Sequence, residues 1–337
     1  MDVDVASVTL RFRRPVTSAF GTLAERELLL LRLAGDDGVI GWGEAAPLEP
    51  YDGVPTAAVR EALKRYAPLL ADAEHVEGAE LLDRCREVAD LPQALAAVDM
   101  ALWDRAGQKE GRPVCALLTD DPAPSVRVNA TIASEDRAGA AAAADRARRD
   151  GFSCVKVKVG IADDAGRVAA VRAAAGPEME LRLDANGAWT VEEAVRTIEA
   201  LAPAGLELVE EPVHGVEALR EVRERVPVRI AMDETAGAPG SLHAAVADAV
   251  CLKVSRCGGI SGLLAQAALV RSTGADVYLA STYDGPLGIA AAVHCAAALR
   301  PEAASGLGTL ELFSDDFSVL RLEGGEILVP DGPGLGV

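Results

Sequence analysis

Cys154-Val155-Lys156-Val157-Lys158-Val159 is the stretch on which the fold turns. Alternation along a strand sends successive side chains to opposite faces, so Lys156 and Lys158 share one face and the three valines the other. In a parallel barrel the apolar outer face meets helices, which turns both lysines inward. An edge strand with solvated lysines is the alternative. The chain carries only five lysines (Lys64, Lys109, Lys156, Lys158, Lys253) against 28 arginines, so two lysines in one apolar run invite a chemical explanation. An amine exchanges a proton near neutral pH when its environment shifts it, and a guanidinium does not.

Outward from this run, β-like segments recur: Val126 to Ile132, Ser153 to Val159, Glu180 to Asp184, Leu206 to Glu210, Val228 to Asp233, Ala249 to Lys253, Asp276 to Ser281 and Ala303 to Gly308. From Lys158 onward their polar ends lie 20–28 residues apart, room for one strand, one helix and two short loops. Thr190 to Leu201 and Ile260 to Thr273 have helical spacing, and Thr190 with Glu193 forms a capping box. Eight such steps favour a parallel (β/α) barrel; a doubly wound sheet also fits the step lengths.

The first 120 residues read differently. Val3 to Phe12, Glu27 to Leu33 and Val39 to Trp42 form an antiparallel meander with a turn at Gly35-Asp36-Asp37-Gly38. Helices follow at Thr56 to Leu70, Glu77 to Val88 and Pro92 to Gln108. The expected fold is α/β, a modified (β/α)8-type barrel with an α+β capping domain. The expected divisions are 1–122 for the cap, 123–308 for the barrel and 309–337 for a C-terminal segment returning to the cap. Residues 13–24, centred on Phe20-Gly21-Thr22, read as a loop able to fold over a ligand, and Gly41-Trp42-Gly43-Glu44 as a structural turn.

A formal charge of -19 repels phosphate backbones and anionic membranes, which argues against nucleic acid or lipid partners. No apolar run approaches a bilayer span, and no signal peptide is evident, so a cytoplasmic location is expected. The six cysteines lack C-x-x-C spacing and read as buried, reduced thiols. The four histidines are isolated and read as solvated or packed. The oligomeric state stays open, a homo-oligomer included.

Inward ammonium groups need nearby anions. The next strand ends supply Asp184 (Asp184-Ala185-Asn186-Gly187), Glu210 (Glu210-Glu211-Pro212) and Asp233 (Asp233-Glu234-Thr235), where a barrel keeps its catalytic groups. Singly, each acid reads equally as a helix cap. Together, three oxygen anions without cysteine or histidine favour a hard cation such as Mg²⁺, with Mn²⁺ a substitute. Lys253 ends the sixth run, so lysine-bearing strands flank the carboxylates. The set suits α-proton removal: the metal binds a substrate carboxylate and stabilises the enediolate while an amine takes the proton. Like-charge repulsion from Lys156 would help keep Lys158 neutral, or the reverse.

These residues, with Gly41 to Ala45, Ala97 to Asp104, Lys156-Val157-Lys158 and Lys253 followed by Cys257-Gly258-Gly259-Ile260, resemble the enolase superfamily in its muconate-lactonising subgroup. The resemblance covers nearly the whole chain. It implies Asp184, Glu210 and Asp233 as metal ligands, Lys158 as base, Lys156 as its partner, and Lys253 on the far side of a small carboxylate substrate. Ser281 to Ala291 and Ser305 to Thr309 look most like the o-succinylbenzoate synthases of menaquinone biosynthesis, lyases that dehydrate a cyclohexadiene carboxylate. Phe20, Thr22, Asn186, Ser281, Thr282 and Gly306 are then the expected substrate contacts. Dipeptide epimerases of the subgroup typically carry Asp-x-Asp at the eighth strand end, where this chain has Gly306-Leu307-Gly308. Epimerase, N-acylamino acid racemase and cycloisomerase therefore rank lower, though Thr309 to Phe313 is somewhat cycloisomerase-like. A non-catalytic scaffold and a phosphate-binding barrel rank lower still.

Overall fold

The computed structural model describes residues 1–18, 21–71, 75–133, 136–161, 163–315, 317 and 319–337, so the expectation for Phe20 lies outside the described residues. Strands β1 (Asp2–Ser18), β2 (Gly21–Ala34) and β3 (Ile40–Ala45) form an antiparallel sheet in that order. Helices α1 (Glu49–Asp52), α2 (Thr56–Ala71), α3 (Gly78–Val88), α4 (Pro92–Glu110) and α5 (Val114–Leu118) follow. Alternation along β2 buries Leu29, Leu31 and Leu33 against Leu63, Tyr66 and Leu70 of α2 and Val98 of α4.

Two expectations change here. Residues 13–18 and 21–24 are not a loop: they extend β1 and β2, whose register shifts between Arg11 and Val16. Pro15 lies within that shift and has no N–H to give a ladder. Gly41-Trp42-Gly43-Glu44 is not a turn but the body of β3. Its glycines let helix and strand backbones touch, since a Cβ on Gly41 or Gly43 would come within 2.1 Å of Ala101 O or 1.9 Å of Ala97 O.

Next come β4 (Ser125–Arg127), β5 (Ala130–Ile132), α6 (Arg137–Arg149), β6 (Cys154–Lys158), α7 (Asp164–Ala175), β7 (Glu180–Asp184), α8 (Val191–Leu201), β8 (Leu206–Glu210), α9 (Val216–Arg225) and β9 (Arg229–Met232). After them lie β10 (Ala249–Leu252), α10 (Val254–Cys257), α11 (Ile260–Ser272), β11 (Asp276–Leu279) and α12 (Pro286–Leu299). Strands β5 to β11 form one parallel sheet in sequence order, and Thr190 with Glu193 makes the expected capping box on α8. The sheet closes through Ser305 and Gly306, which bridge Val128 on one side and Ala280 on the other. Closure removes the doubly wound alternative.

The eighth run is thus a pair of bridges rather than a full strand. The first run splits, because β4 pairs with β13 (Glu326–Leu328), which in turn pairs with β12 (Leu322–Glu323), in a separate sheet. The shortest step also departs from the expected pattern. Between β9 and β10 the chain makes only 3-10 turns, Glu234–Gly237 and Ser241–His243, since Gly237, Pro239 and Gly240 interrupt any helix there.

The C-terminal segment packs on the cap. Phe313 bridges Phe12 and stacks on it at 4.6 Å, and the Val114 N–H donates to Gly334 O at 2.8 Å. All six cysteines are buried and unpaired. No helix among the described residues is long and apolar enough to cross a membrane.

Candidate active site

Strand β6 directs Lys156 and Lys158 into the barrel, and β7 and β8 end beside it in fully buried Asp184 and Glu210. Lys156 Nζ donates to Asp184 Oδ2 at 3.0 Å and to Glu210 Oε1 at 3.2 Å. Lys158 Nζ donates to Asp184 Oδ2 at 2.6 Å and to Asn186 Oδ1 at 2.9 Å. Lys253, just past β10, donates to Asp233 Oδ1 and, at 2.9 Å, to the Tyr51 hydroxyl. The sequence-identified lysines and carboxylates therefore converge at the C-terminal ends of the strands, Lys253 on the Asp233 side and the β6 pair on the Asp184 side.

Burial alone would lower the Lys156 amine, but the Asp184 and Glu210 carboxylates raise it well above the usual lysine range. Lys156 is thus held as an ammonium. Burial works against the Asp184 carboxylate, yet Lys156 and Lys158 hold it well below its ordinary value. Burial and Asp184 push Glu210 up. Burial and the neighbouring Asp233 push Glu234 up to about 8, and its Oε2 is buried without a hydrogen-bond partner among the described residues.

Glu210 and Glu234 are raised by burial and neighbouring carboxylates despite the lysines, and a divalent cation would offset that crowding. Carboxylate oxygens of Glu210 and Asp233 lie with Cys251 Sγ within 4.8 Å of one another. Burial raises the Cys251 thiol well above its usual value, and of the three groups the carboxylates are the hard oxygen donors that suit Mg²⁺.

Several participants gave no usable signal in the sequence. Glu211 accepts from the backbone N–H of Asp233 at 2.8 Å and of Thr235 at 2.9 Å, from the Thr235 hydroxyl, and contacts His214 Nδ1 at 3.1 Å. It braces the turn that presents Asp233. His214 in turn fills the space beside Gly187, where a Cβ would lie 2.2 Å from its ring. Tyr278 donates to Glu210 Oε2 at 2.8 Å. Tyr51 arrives from the cap, in Glu49-Pro50-Tyr51-Asp52-Gly53, a stretch with no periodicity to mark it. Glu211 had one clue, its position beside Glu210 before Pro212.

The expected substrate contacts separate. Asn186 is central, linking Lys158 to Glu234 Oε1 at 2.9 Å. Ser281 Oγ pairs with Thr309 Oγ1 at 2.9 Å, and Gly306 lies at the bridge to Ala280. The Thr282 hydroxyl is buried and donates to Asp284 Oδ1 at 2.8 Å, so it serves the loop rather than the cavity. Thr22 is exposed on the hairpin.

A closed parallel barrel with lysines on opposing strands around three strand-end carboxylates, under an α+β cap, defines the class. The chain belongs to the mandelate racemase/muconate lactonizing enzyme family of the enolase superfamily, in the muconate-lactonising subgroup. Residues 1–119 match the N-terminal domain of that family, and residues 139–337 match the enolase C-terminal domain-like family. It is 30% identical to an L-Ala-D/L-Glu epimerase of Bacillus subtilis, covering 99% of this chain and 95% of that protein. It is 31% identical to muconate cycloisomerase 1 of Rhodococcus opacus (100% and 95%) and 34% identical to an o-succinylbenzoate synthase of Thermobifida fusca (90% and 81%). The substrate-liganded B. subtilis epimerase structure superposes with a TM-score of 0.92 at 29% identity over 100% of this chain and 98% of that one. A dipeptide epimerase of Enterococcus faecalis, complexed with Mg and L-Leu-L-Tyr, gives 0.88 at 28% identity over 99% and 98%. The protein is an enzyme of this superfamily.

Proposed function

We propose that the enzyme abstracts a proton α to a carboxylate and dehydrates the cyclohexadiene precursor of o-succinylbenzoate. Lys158 is the base, and it returns a proton to the departing hydroxyl on the same face. Lys156 fixes Asp184 and Glu210, and Lys253 remains a charged group across the site. Asp184, Glu210 and Asp233 would hold Mg²⁺, or Mn²⁺ in its place, and the bound cation supplies Lewis-acid charge to the substrate carboxylate. Asn186 orients Lys158, while Ser281, Gly306 and the extended ends of β1 and β2 at 13–18 and 21–24 line the remainder of the substrate path. The divisions at 122 and 308, and a cytoplasmic location, belong to the same reading.

The observation that carries the dehydratase is the neutral eighth strand end. Gly306-Leu307-Gly308 offers no carboxylate, and the adjacent Ser281 and Thr309 hydroxyls satisfy each other. A dipeptide's ammonium would meet no anion there. Dipeptide epimerisation is the second reading. It is favoured by lysines on both sides of the carboxylates and by the epimerases among the relatives. N-acylamino acid racemase and cycloisomerase activities rank after it.

The Mg²⁺-loaded protein mixed with the precursor should show the ultraviolet change of aromatisation, and Lys158→Ala should lose at least ~10³-fold of it. Absence of turnover by the intact protein, together with α-proton exchange into deuterated water on dipeptides, would replace the dehydratase with an epimerase.

A further inference from the structure

Tyr51 comes from the cap and places its hydroxyl among the barrel's charged groups at Lys253. That hydroxyl accepts from Lys253 Nζ and from Arg256 Nη1, each at 2.9 Å, and donates to Asp233 Oδ1 at 3.2 Å. The ring faces the same two cations, with Lys253 Nζ and the Arg256 guanidinium carbon each 5.1 Å from its centroid. A phenol in this position offers a lone-pair acceptor and a negative π face to the cations, and a donor to the carboxylate.

The cap builds a rigid mount for this residue. Buried Arg26 of β2 donates to Pro47 O at 2.6 Å and to Ala46 O at 3.2 Å, fixing the entry to α1. Asp52 accepts from the Leu48 N–H at 3.0 Å and the Val54 N–H at 2.9 Å, and from Gln93 of α4 at 2.9 Å, fixing both ends of the turn. Gly53, at φ 71°, closes the helix in a left-handed conformation. A short four-residue helix has no stability of its own, so this polar framework sets where Tyr51 points.

We infer that Tyr51 is a positioning residue: docking of the cap seats its hydroxyl and ring on Lys253, holding that amine in place and preventing it from swinging toward substrate as a second base. The inference rests on the single-base reading above and explains how one superfamily scaffold with two opposed lysines is restricted to chemistry on one face.

The presence of only five lysines makes a direct test practical. The full-length protein, with and without Mg²⁺, is treated with limiting acetic anhydride, and acetylation at each lysine is followed by peptide mass spectrometry. Tyr51→Phe keeps the ring, and with it the access path, but removes the hydroxyl. Lys253 should acetylate at least ~5-fold faster in that variant, with Lys64 and Lys109 as unchanged internal standards. Tyr51→Leu, which also removes the π face, should increase the rate further. With the precursor, Tyr51→Phe should lower kcat about tenfold and leave KM within about twofold, the signature of a lost transition-state contact. Equal Lys253 acetylation in the unsubstituted protein and both variants, with circular dichroism unchanged, overturns the inference. Because acetylation needs no substrate, that failure is distinct from failure of the dehydratase reading, which would appear as no turnover by the unsubstituted enzyme.

Discussion

Glu211 occupies a backbone conformation that side chains avoid, with φ of 40°, and Asn186 shares it at 45°. Both stand one or two residues beyond a candidate metal ligand. The strain is offset by hydrogen bonds: Glu211 by the Asp233 and Thr235 amides, Asn186 by Lys158 and Glu234. Glu211 touches no expected ligand side chain, yet it orients the residue carrying one. Glu211→Ala should therefore weaken Mg²⁺ binding by roughly 10–100-fold, the usual consequence of removing a group that orients a ligand. Isothermal titration with Mg²⁺ measures it, and unchanged affinity in a folded variant would show that the brace has no role in metal binding. Glu210 and Asp233 were legible in the sequence because a carboxylate at a strand end has chemical meaning by itself. Glu211 gains its meaning only from the turn that follows the neighbouring strand β9.

At the scale of elements, caps and latches join the two units. Asp99 of α4 accepts from the Ser261 N–H at 2.9 Å and from its hydroxyl at 2.6 Å, so the cap supplies the N-terminal acceptor of a barrel helix. Gly259, at φ 109°, permits this approach, since a Cβ there would lie 2.4 Å from Asp99 Oδ2. On α12, buried His294 accepts from the Cys115 N–H at 3.2 Å through Nδ1 and contacts Leu335 O at 3.2 Å through Nε2. Those partners fit the neutral ring protonated on Nε2. Burial lowers the imidazole to about 4 from an ordinary 6.5, against the Leu335 contact. A group depressed in the folded state contributes stability above its unfolded value and loses it on acidification. The chain should therefore lose up to about 3 kcal/mol from this site as pH falls from 6.5 toward 4. Melting temperatures from pH 8 to pH 4.5 for the protein and His294→Gln test this. Parallel curves for the two would remove His294 as a source of the acid sensitivity.

For the whole molecule, cation binding should be linked to stability. An ion that binds the folded carboxylates and not the unfolded chain stabilises by RT ln(1 + [L]/Kd), about 2.7 kcal/mol at one hundred times Kd. The melting temperature should rise with the logarithm of Mg²⁺ concentration, fall on chelation, and respond much less in Glu210→Gln. An equal rise in that variant would assign the effect to general screening of a chain with net charge -19.

The sequence alone determined the repeating βα architecture and which charged side chains gather at the barrel mouth. Strand alternation and strand-end position are local properties, and lysine in an apolar run is conspicuous where arginine supplies most positive charge. The helical periods of α2, α3, α4, α8 and α11 were legible for the same reason. Only the tertiary structure decided what depends on distant backbone. The glycines of β3 make a strand because a helix packs on them, and residues 16–18 pair with 21–23 because β1 and β2 extend that far. The eighth run closes a barrel through two bridges, and Tyr51 meets Lys253 across 202 positions of chain. Such contacts are fixed by how the two units dock, which no local pattern encodes.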